Sequence, residues 1–216
     1  MKKIKVFSPA SISNICCGFD VLGFAMEGLG DIISLKKIDK KGVFIKKITG
    51  FNIPLDIEKN TATVALRAFL DKLDYSHGFE ISIEKNIKPG SGLGSSAASA
   101  VGSVFAANVI LGKPFTLHQL VEFAMAGELI SSESAPADNV ASALYGGIVL
   151  VDNFKKYHVI NLPAPKNVFA VIHHPLISRS TSESRNQLPK KVSLQSASFQ
   201  LTNIASFVHS LHTSNL

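Results

Sequence analysis

The sequence predicts an α+β fold: a first domain with a mixed or antiparallel sheet and helices, followed by the beginning of a second α+β domain. Three observations predict it. Near the N-terminus, segments rich in β-branched residues alternate apolar and polar positions. A glycine-rich turn at residues 90–94 then opens onto an alanine-dense run. Of the 216 residues, 46% are apolar and 18% charged, which suits a well-buried core and excludes a disordered chain or a coiled coil.

Lys2 to Ser8 places Ile4 and Val6 on one face, and Asp31 to Ile38 and Gly42 to Ile48 repeat this Lys-flanked pattern, so all three read as antiparallel strands. Asn60-Thr61 precedes a 3.6-period stripe of Ala62, Ala65, Leu66, Phe69, Leu70 and Leu73, a capped helix. Alternation returns from Gly78 to Glu84, with Phe79, Ile81 and Ile83 on one face. Ser95 to Leu111 is a small-residue helix, and Thr116 caps another that runs through Leu117, Leu120, Val121, Phe123 and Ala124. Ala137 to Leu144 reads as a short helix ended by Gly146-Gly147, then strands follow at Ile148 to Val151 and near Tyr157 to Ile160.

Leu162-Pro163-Ala164-Pro165 is the expected linker between a domain over 1–162 and an incomplete one over 163–216. In the latter, Val168 to His173 reads as a strand and Val192 to Leu211 as one long helix. So short a piece cannot bury a core of its own, so it docks on the first domain or belongs to a truncated second one. The apolar surface it would expose predicts poor solubility or compensating self-association, of which a homodimer is one form.

The charged start at Met1-Lys2-Lys3 is followed by Ser8, Pro9 and Ser11 rather than an apolar core, so no signal peptide is read and the expected location is cytoplasmic. The most apolar window, Ala97 to Leu111, is too short to span a bilayer, which excludes a membrane partner. Adjacent Cys16 and Cys17 build neither a disulfide framework nor a C-x-x-C site. The formal charge of +6 comes largely from lysine pairs beside strands, and no nucleic-acid motif accompanies them. An anionic small molecule suits that charge as well.

The most informative stretch is Lys88-Pro89-Gly90-Ser91-Gly92-Leu93-Gly94-Ser95-Ser96-Ala97-Ala98. Glycine lets an anion approach backbone amides, and a helix starting at Ser95 aims unpaired N–H groups and a partial positive charge at the same point. Phosphate is the expected guest. The only Gly-Lys pair, Gly112-Lys113, precedes Pro114, so this is not a Walker A loop.

Pro89 to Ala98 resembles the nucleotide loop of the GHMP small-molecule kinases. Ser8 to Gly23 is similar to the opening of the homoserine kinases within that family. Glu128, Asp138-Asn139-Val140-Ala141 and Gly146-Gly147 resemble further segments at compatible spacing, as do His174-Pro175, Thr181, Arg185 and Leu188-Pro189. The resemblance runs through the whole chain, although the family continues about a third longer, into a completed second domain.

The resemblance implies ATP as phosphoryl donor, Mg²⁺ as its ion and L-homoserine as acceptor, with O-phosphohomoserine on the route to threonine. It assigns the ATP phosphates to Pro89, Gly90, Ser91, Gly92, Leu93, Gly94, Ser95 and Ser96, the adenine to Asn60, and Mg²⁺ to Ser96 and Glu128. Magnesium takes hard oxygens and keeps several waters, so one hydroxyl, one carboxylate and the phosphates suffice. Asn14, Asp20, Thr181 and Arg185 would hold the acceptor, Asp20 facing its ammonium and Arg185 its carboxylate. Glu128, Asn139 and Ser96 form the implied catalytic set. Asn139 stands where other members carry an aspartate, and an amide cannot serve as a base.

Plainer readings stand beside these: Asn60 as a helix cap, Ser96 as a first-turn helix residue, Glu128 as a solvated helix charge, Asn14 and Asp20 as turn formers beside Gly18. Pro136 replaces the histidine usual two residues before Asp138-Asn139 and offers no donor. Adjacent His173 and His174 on a strand would face opposite ways and share no ligand. Two rivals to homoserine phosphorylation remain at this point: a sibling kinase for another small alcohol, and a nucleotide-binding protein without turnover.

Overall fold

The structure, a computed structural model, describes residues 2–130, 136–166, 168–173 and 181–215. Strands β1 (Lys3–Ser13), β2 (Leu22–Ile38), β3 (Gly42–Gly50), β4 (Gly78–Lys85), β5 (Ile148–Asp152) and β6 (His158–Leu162) form one mixed sheet. Its axis is the 17-residue β2, longer than the Asp31–Ile38 stretch that alternation reveals. One edge of β2 carries β1, from Lys3 opposite Lys36 to Ser13 opposite Gly23. The other edge carries β4 against Ile32–Ile38 and then β5 against Leu22–Phe24. The segment from Leu22 to Gly30 escapes sequence reading because glycines at 23, 28 and 30 interrupt its alternation.

The expectation that the first three strands pair antiparallel is corrected at β3. It lies parallel to β4, away from β2, and α1 (Thr61–Lys72) makes the crossover that parallel neighbours require. The apolar face of Phe79, Ile81 and Ile83 takes β4 into the sheet interior, while β3, bearing Lys46 and Lys47, takes the edge, where charge discourages further pairing.

Helices α2 (Ser95–Ile110), α3 (Leu117–Glu128) and α4 (Asp138–Tyr145) join α1 in packing against the sheet. Most of α2 is buried all round, so it is the central helix of this layer. Its small side chains allow close approach: a Cβ on Gly102 would lie 2.5 Å from Ile33 Cγ1. A capping box between Thr116 and Gln119 starts α3.

The described residues between 163 and 215 are organised differently. The strand expected at Val168–His173 is not formed: those residues are irregular, with Phe169 and Val171 exposed, because no described neighbour offers them a ladder. A short helix, α5 (Thr181–Asn186), precedes α6 (Leu194–Thr213). Near its end α6 presses Leu211, Phe207 and Val208 against Leu22, Leu162, Ile148 and Leu150, while Leu194, Phe199 and Leu201 stay exposed. No helix among the described residues is long and apolar enough to cross a membrane.

Candidate active site

The site grows from the C-terminal end of β4. Lys85 follows Phe79, Ile81 and Ile83 on the inward face of its strand, and Asp31 leads Ile33 and Leu35 on the inward face of β2. The two charges therefore meet inside the protein, Lys85 being 1% exposed and Asp31 fully buried. Lys85 Nζ donates to Asp31 Oδ2, to the Ser95 carbonyl, and to Ser99 Oγ at 2.8 Å. The second Asp31 oxygen accepts the amides of Asn86 and Ile87 at 2.9 and 3.1 Å. Ser95 Oγ donates to the Ile87 carbonyl at 2.9 Å. The start of the glycine turn and the first turn of α2 are thus tied to one buried ion pair. Burial pulls the Lys85 ammonium below its ordinary value, and Asp31 opposes that.

Above this base, Gly90, Gly92 and Gly94 all take positive φ. A Cβ on Gly94 would lie 2.0 Å from Ser11 Oγ and 3.0 Å from Asn139 Oδ1, so only glycine fits there. The Ser11 amide donates to the Leu93 carbonyl at 3.1 Å and seams the turn to β1. No side chain caps α2, which leaves its first-turn amides available to an anion. Ser91 Oγ is enclosed and has no hydrogen-bond partner among the described residues. An open mouth, an unspent hydroxyl and glycine clearance fit a chain of phosphates.

At the same mouth Ser96 Oγ donates to Glu128 Oε2 at 2.9 Å. Two adjacent oxygens of an octahedral magnesium shell stand about 3 Å apart, so this pair is already spaced to share one ion. Burial raises the Glu128 carboxyl to about 7, against the Ser96 hydroxyl and the Lys85 charge, which favour ionisation. Among the described residues no group of three or more His, Cys, Asp or Glu side chains is placed to hold a metal. A metal here would draw its remaining ligands from phosphate and water.

Asn139 bridges to the other end. Ser11 Oγ donates to Asn139 Oδ1 at 2.9 Å, and the Asn139 amide donates to Asp138 Oδ1 at 2.8 Å. Asp138 is fully buried, and its Oδ2 has no hydrogen-bond partner among the described residues. Burial first, and then the neighbouring Asp20 charge, raise its carboxyl to about 6, while amides including that of Asn14 pull the other way. Asn14 and Asp20 take left-handed backbone, with φ of 71° and 62°, and the Asp20 amide donates to Asn14 Oδ1 at 3.0 Å. The turn reading of these two residues therefore holds in the structure. Arg185, on α5, donates from Nη2 to Asp20 Oδ1 at 2.5 Å.

The structure brings together Ser91 to Ser96, Glu128 and Asn139 at one end, and Asn14, Asp20 and Arg185 at the other. Pro89 and Gly90 form the exposed shoulder of the turn. Asn60 is 1% exposed, with both ends of its amide engaged: Oδ1 accepts the Ala62 amide at 3.1 Å and Nδ2 donates to the Pro54 carbonyl at 2.7 Å. It caps α1. Thr181 opens α5, but its side chain lies outside the described residues, as do His174 and Pro175.

Sequence reading passed over Asp31, Lys85, Ser99 and Ser11, and set Asp138 aside. The signal for the first two was present: a charge at the inward parity of an apolar strand needs a partner of opposite sign.

Residues 60–147 match the family model "GHMP kinases N terminal domain", which gives the class of protein. The chain is 36% identical to the homoserine kinase of Chlorobium phaeobacteroides (strain BS1), covering all of this chain and 71% of that one. It is 38% identical to the homoserine kinase of Chloroherpeton thalassium, covering 98% and 70%. The crystal structure of a homoserine kinase from Cytophaga hutchinsonii superposes with a TM-score of 0.93 at 45% identity, covering all of this chain and 69% of that one. Methanococcus jannaschii mevalonate kinase, at 17% identity and a TM-score of 0.57 over 75% of this chain and 56% of that one, shares the fold. The chain belongs to the homoserine kinase family, a group of phosphotransferases.

Proposed function

We propose that this protein transfers the γ-phosphoryl group of ATP to the side-chain hydroxyl of L-homoserine, giving O-phospho-L-homoserine and ADP, a step toward threonine. One observation carries the reading. Contacts run from the glycine turn through Ser11 and Asn139 to Asp138, whose carboxyl lies within the field of Asp20, and Asp20 is in turn paired with Arg185. Phosphate-binding amides thus stand across from a pair of charges suited to the two poles of an amino acid.

In the reaction a bond forms between the acceptor oxygen and the γ-phosphorus, the bridging oxygen leaves with ADP, and the hydroxyl proton is released. Positioning and charge neutralisation dominate this chemistry. The amides of Gly90 to Ser96 hold the phosphates, and the buried Lys85–Asp31 pair fixes the turn beneath them. Ser96 and Glu128 would hold Mg²⁺, which supplies Lewis-acid neutralisation of the phosphate oxygens when bound. Asn139 lies between the ends and orients the groups without taking a proton. Asn14 shapes the turn that presents Asp20, while Arg185 would take the acceptor carboxylate, a role the resemblance also gives to Thr181. We further assign the enzyme to the cytoplasm, read 1–162 as the catalytic domain with 163–216 docked on it, and propose a homodimer.

The test is ADP release coupled to a spectrophotometric readout, with Mg-ATP, with and without L-homoserine, beside calorimetric titration of Mg-ATP. Homoserine-dependent release is expected, and Arg185→Ala should raise the homoserine KM about 10- to 100-fold with nucleotide affinity unchanged. Nucleotide binding with no homoserine-dependent release would refute the assignment, and release driven better by another small alcohol would transfer it to a sibling kinase.

A further inference from the structure

Asp20 and Arg185 are far apart in sequence and bonded to each other in the structure, each 26% exposed. The guanidinium lies over the ring of Phe19, 5.4 Å from its centroid, which shields the pair on one side. Two enclosed polar atoms are left over beside the pair. Arg185 Nε has no hydrogen-bond partner among the described residues, and neither has Oδ2 of Asp138, a carboxyl that feels the Asp20 charge. One donor and one acceptor therefore remain unmet around a satisfied ion pair. A carboxylate matches a guanidinium fork that includes Nε, and an ammonium carries donors enough for two carboxylates.

We propose that Asp20 and Arg185 form an exchange gate, in which the acceptor amino acid enters by replacing their mutual ion pair with two pairs of its own. The site then admits an α-ammonium and an α-carboxylate together. This rests on the acceptor assigned above. A ligand with only a carboxylate draws Arg185 away and leaves Asp20 beside Asp138 with no cation between them. A ligand with only an ammonium leaves the guanidinium unpaired. Either loss is large in a half-buried site, because a group stripped of its partner keeps its desolvation cost.

The gate makes a direct prediction: removing one gate charge should improve binding of the ligand that lacks the matching pole. Asp20→Asn suits the test, since asparagine tolerates the left-handed backbone at φ 62° and retains the amide bond to Asn14. Calorimetric titration of the full chain with 4-hydroxybutanoate, which has no ammonium, should give affinity about five- to tenfold higher in Asp20→Asn than in wild type, the worth of a half-exposed ion pair. Homoserine should bind that variant more weakly. Arg185→Gln is the mirror test and does not depend on how Asp20→Asn folds: 2-aminobutane-1,4-diol, which has no carboxylate, should gain affinity. A gain in either variant supports the gate. If neither gains, the gate is overturned while wild-type homoserine-dependent ADP release leaves the functional assignment standing. Gains without that release would sink the assignment and keep the gate.

Discussion

The two ends of the site are built on opposite plans. Beneath the glycine turn, the hydrogen-bonding groups of Lys85, Asp31, Ser95 and Ser99 are spent on one another and on the backbone at residues 86–87 in a buried network, and the openings above them are backbone amides. Around the acceptor turn, Asp20 and Arg185 are about one-quarter exposed and Asp138 and Arg185 each keep an atom unmet among the described residues. Phosphate is common to every substrate pair such a kinase handles, so a rigid cradle suits it. The acceptor must be told apart from other small molecules, and unmet polar groups discriminate more strongly than apolar contact does.

The largest expected effect breaks the rigid end. Lys85→Met leaves Asp31 charged and buried without its cation, and should cost about 3–5 kcal/mol in urea unfolding. The double variant Asp31→Leu with Lys85→Met removes both charges and should recover only part of that loss, because the Asn86 and Ile87 amides lose their acceptor. If the single variant unfolds like wild type, the ion pair does not hold the turn.

Next is Glu128→Ala, which should lower kcat on the order of 10²- to 10³-fold, read at saturating Mg²⁺ and ATP, by withdrawing one of the two protein oxygens proposed to hold the ion. Unchanged turnover would move the metal elsewhere. A smaller effect separates two glycines of the same turn. In Gly94→Ala the new methyl collides with Ser11, so nucleotide affinity and stability should both fall by roughly 2 kcal/mol or more. In Gly92→Ala the methyl meets nothing within 4 Å, and only the left-handed backbone at φ 76° costs, about 1 kcal/mol. Equal losses at both positions would mean that the close approach of β1 and α4 does not shape the turn.

Legibility in sequence follows the same division. The glycine turn and the helices of the first 162 residues are local: glycine conformation, caps and apolar period are written within a few residues of where they act. The Asp20–Arg185 pair joins α5 to the N-terminal turn, and sequence offers the two residue types without their meeting. Lys85 and Asp31 were readable in parity, but a lysine among lysines looks like solvated charge until the strand is known to be central. The parallel placement of β3 and the missing strand at 168–173 fail for one reason: a strand is defined by its neighbour, and the neighbour is not in the segment.

The smallest expected effect is in pH, and it distinguishes the ends by what relieves them. Burial raises Glu128 from 4.5 to about 7 and Asp138 from 3.8 to about 6. A carboxyl raised on folding binds its proton more tightly in the native state, so the stability it contributes is complete below the unfolded value and is lost as pH climbs through the folded one. The melting temperature should therefore fall by a few degrees between pH 5 and pH 8. Glu128→Gln should remove the upper part of that slope and Asp138→Asn the lower part. Mg-ATP should flatten the Glu128 contribution in wild type, because a bound cation favours the ionised carboxylate, and should leave the Asp138 contribution in place. Homoserine, whose ammonium is proposed to come to Asp20 beside Asp138, should do the reverse. Were both ligands to flatten the same part of the curve, the two carboxyls would be one coupled centre, and the division between a donor end and an acceptor end would fall.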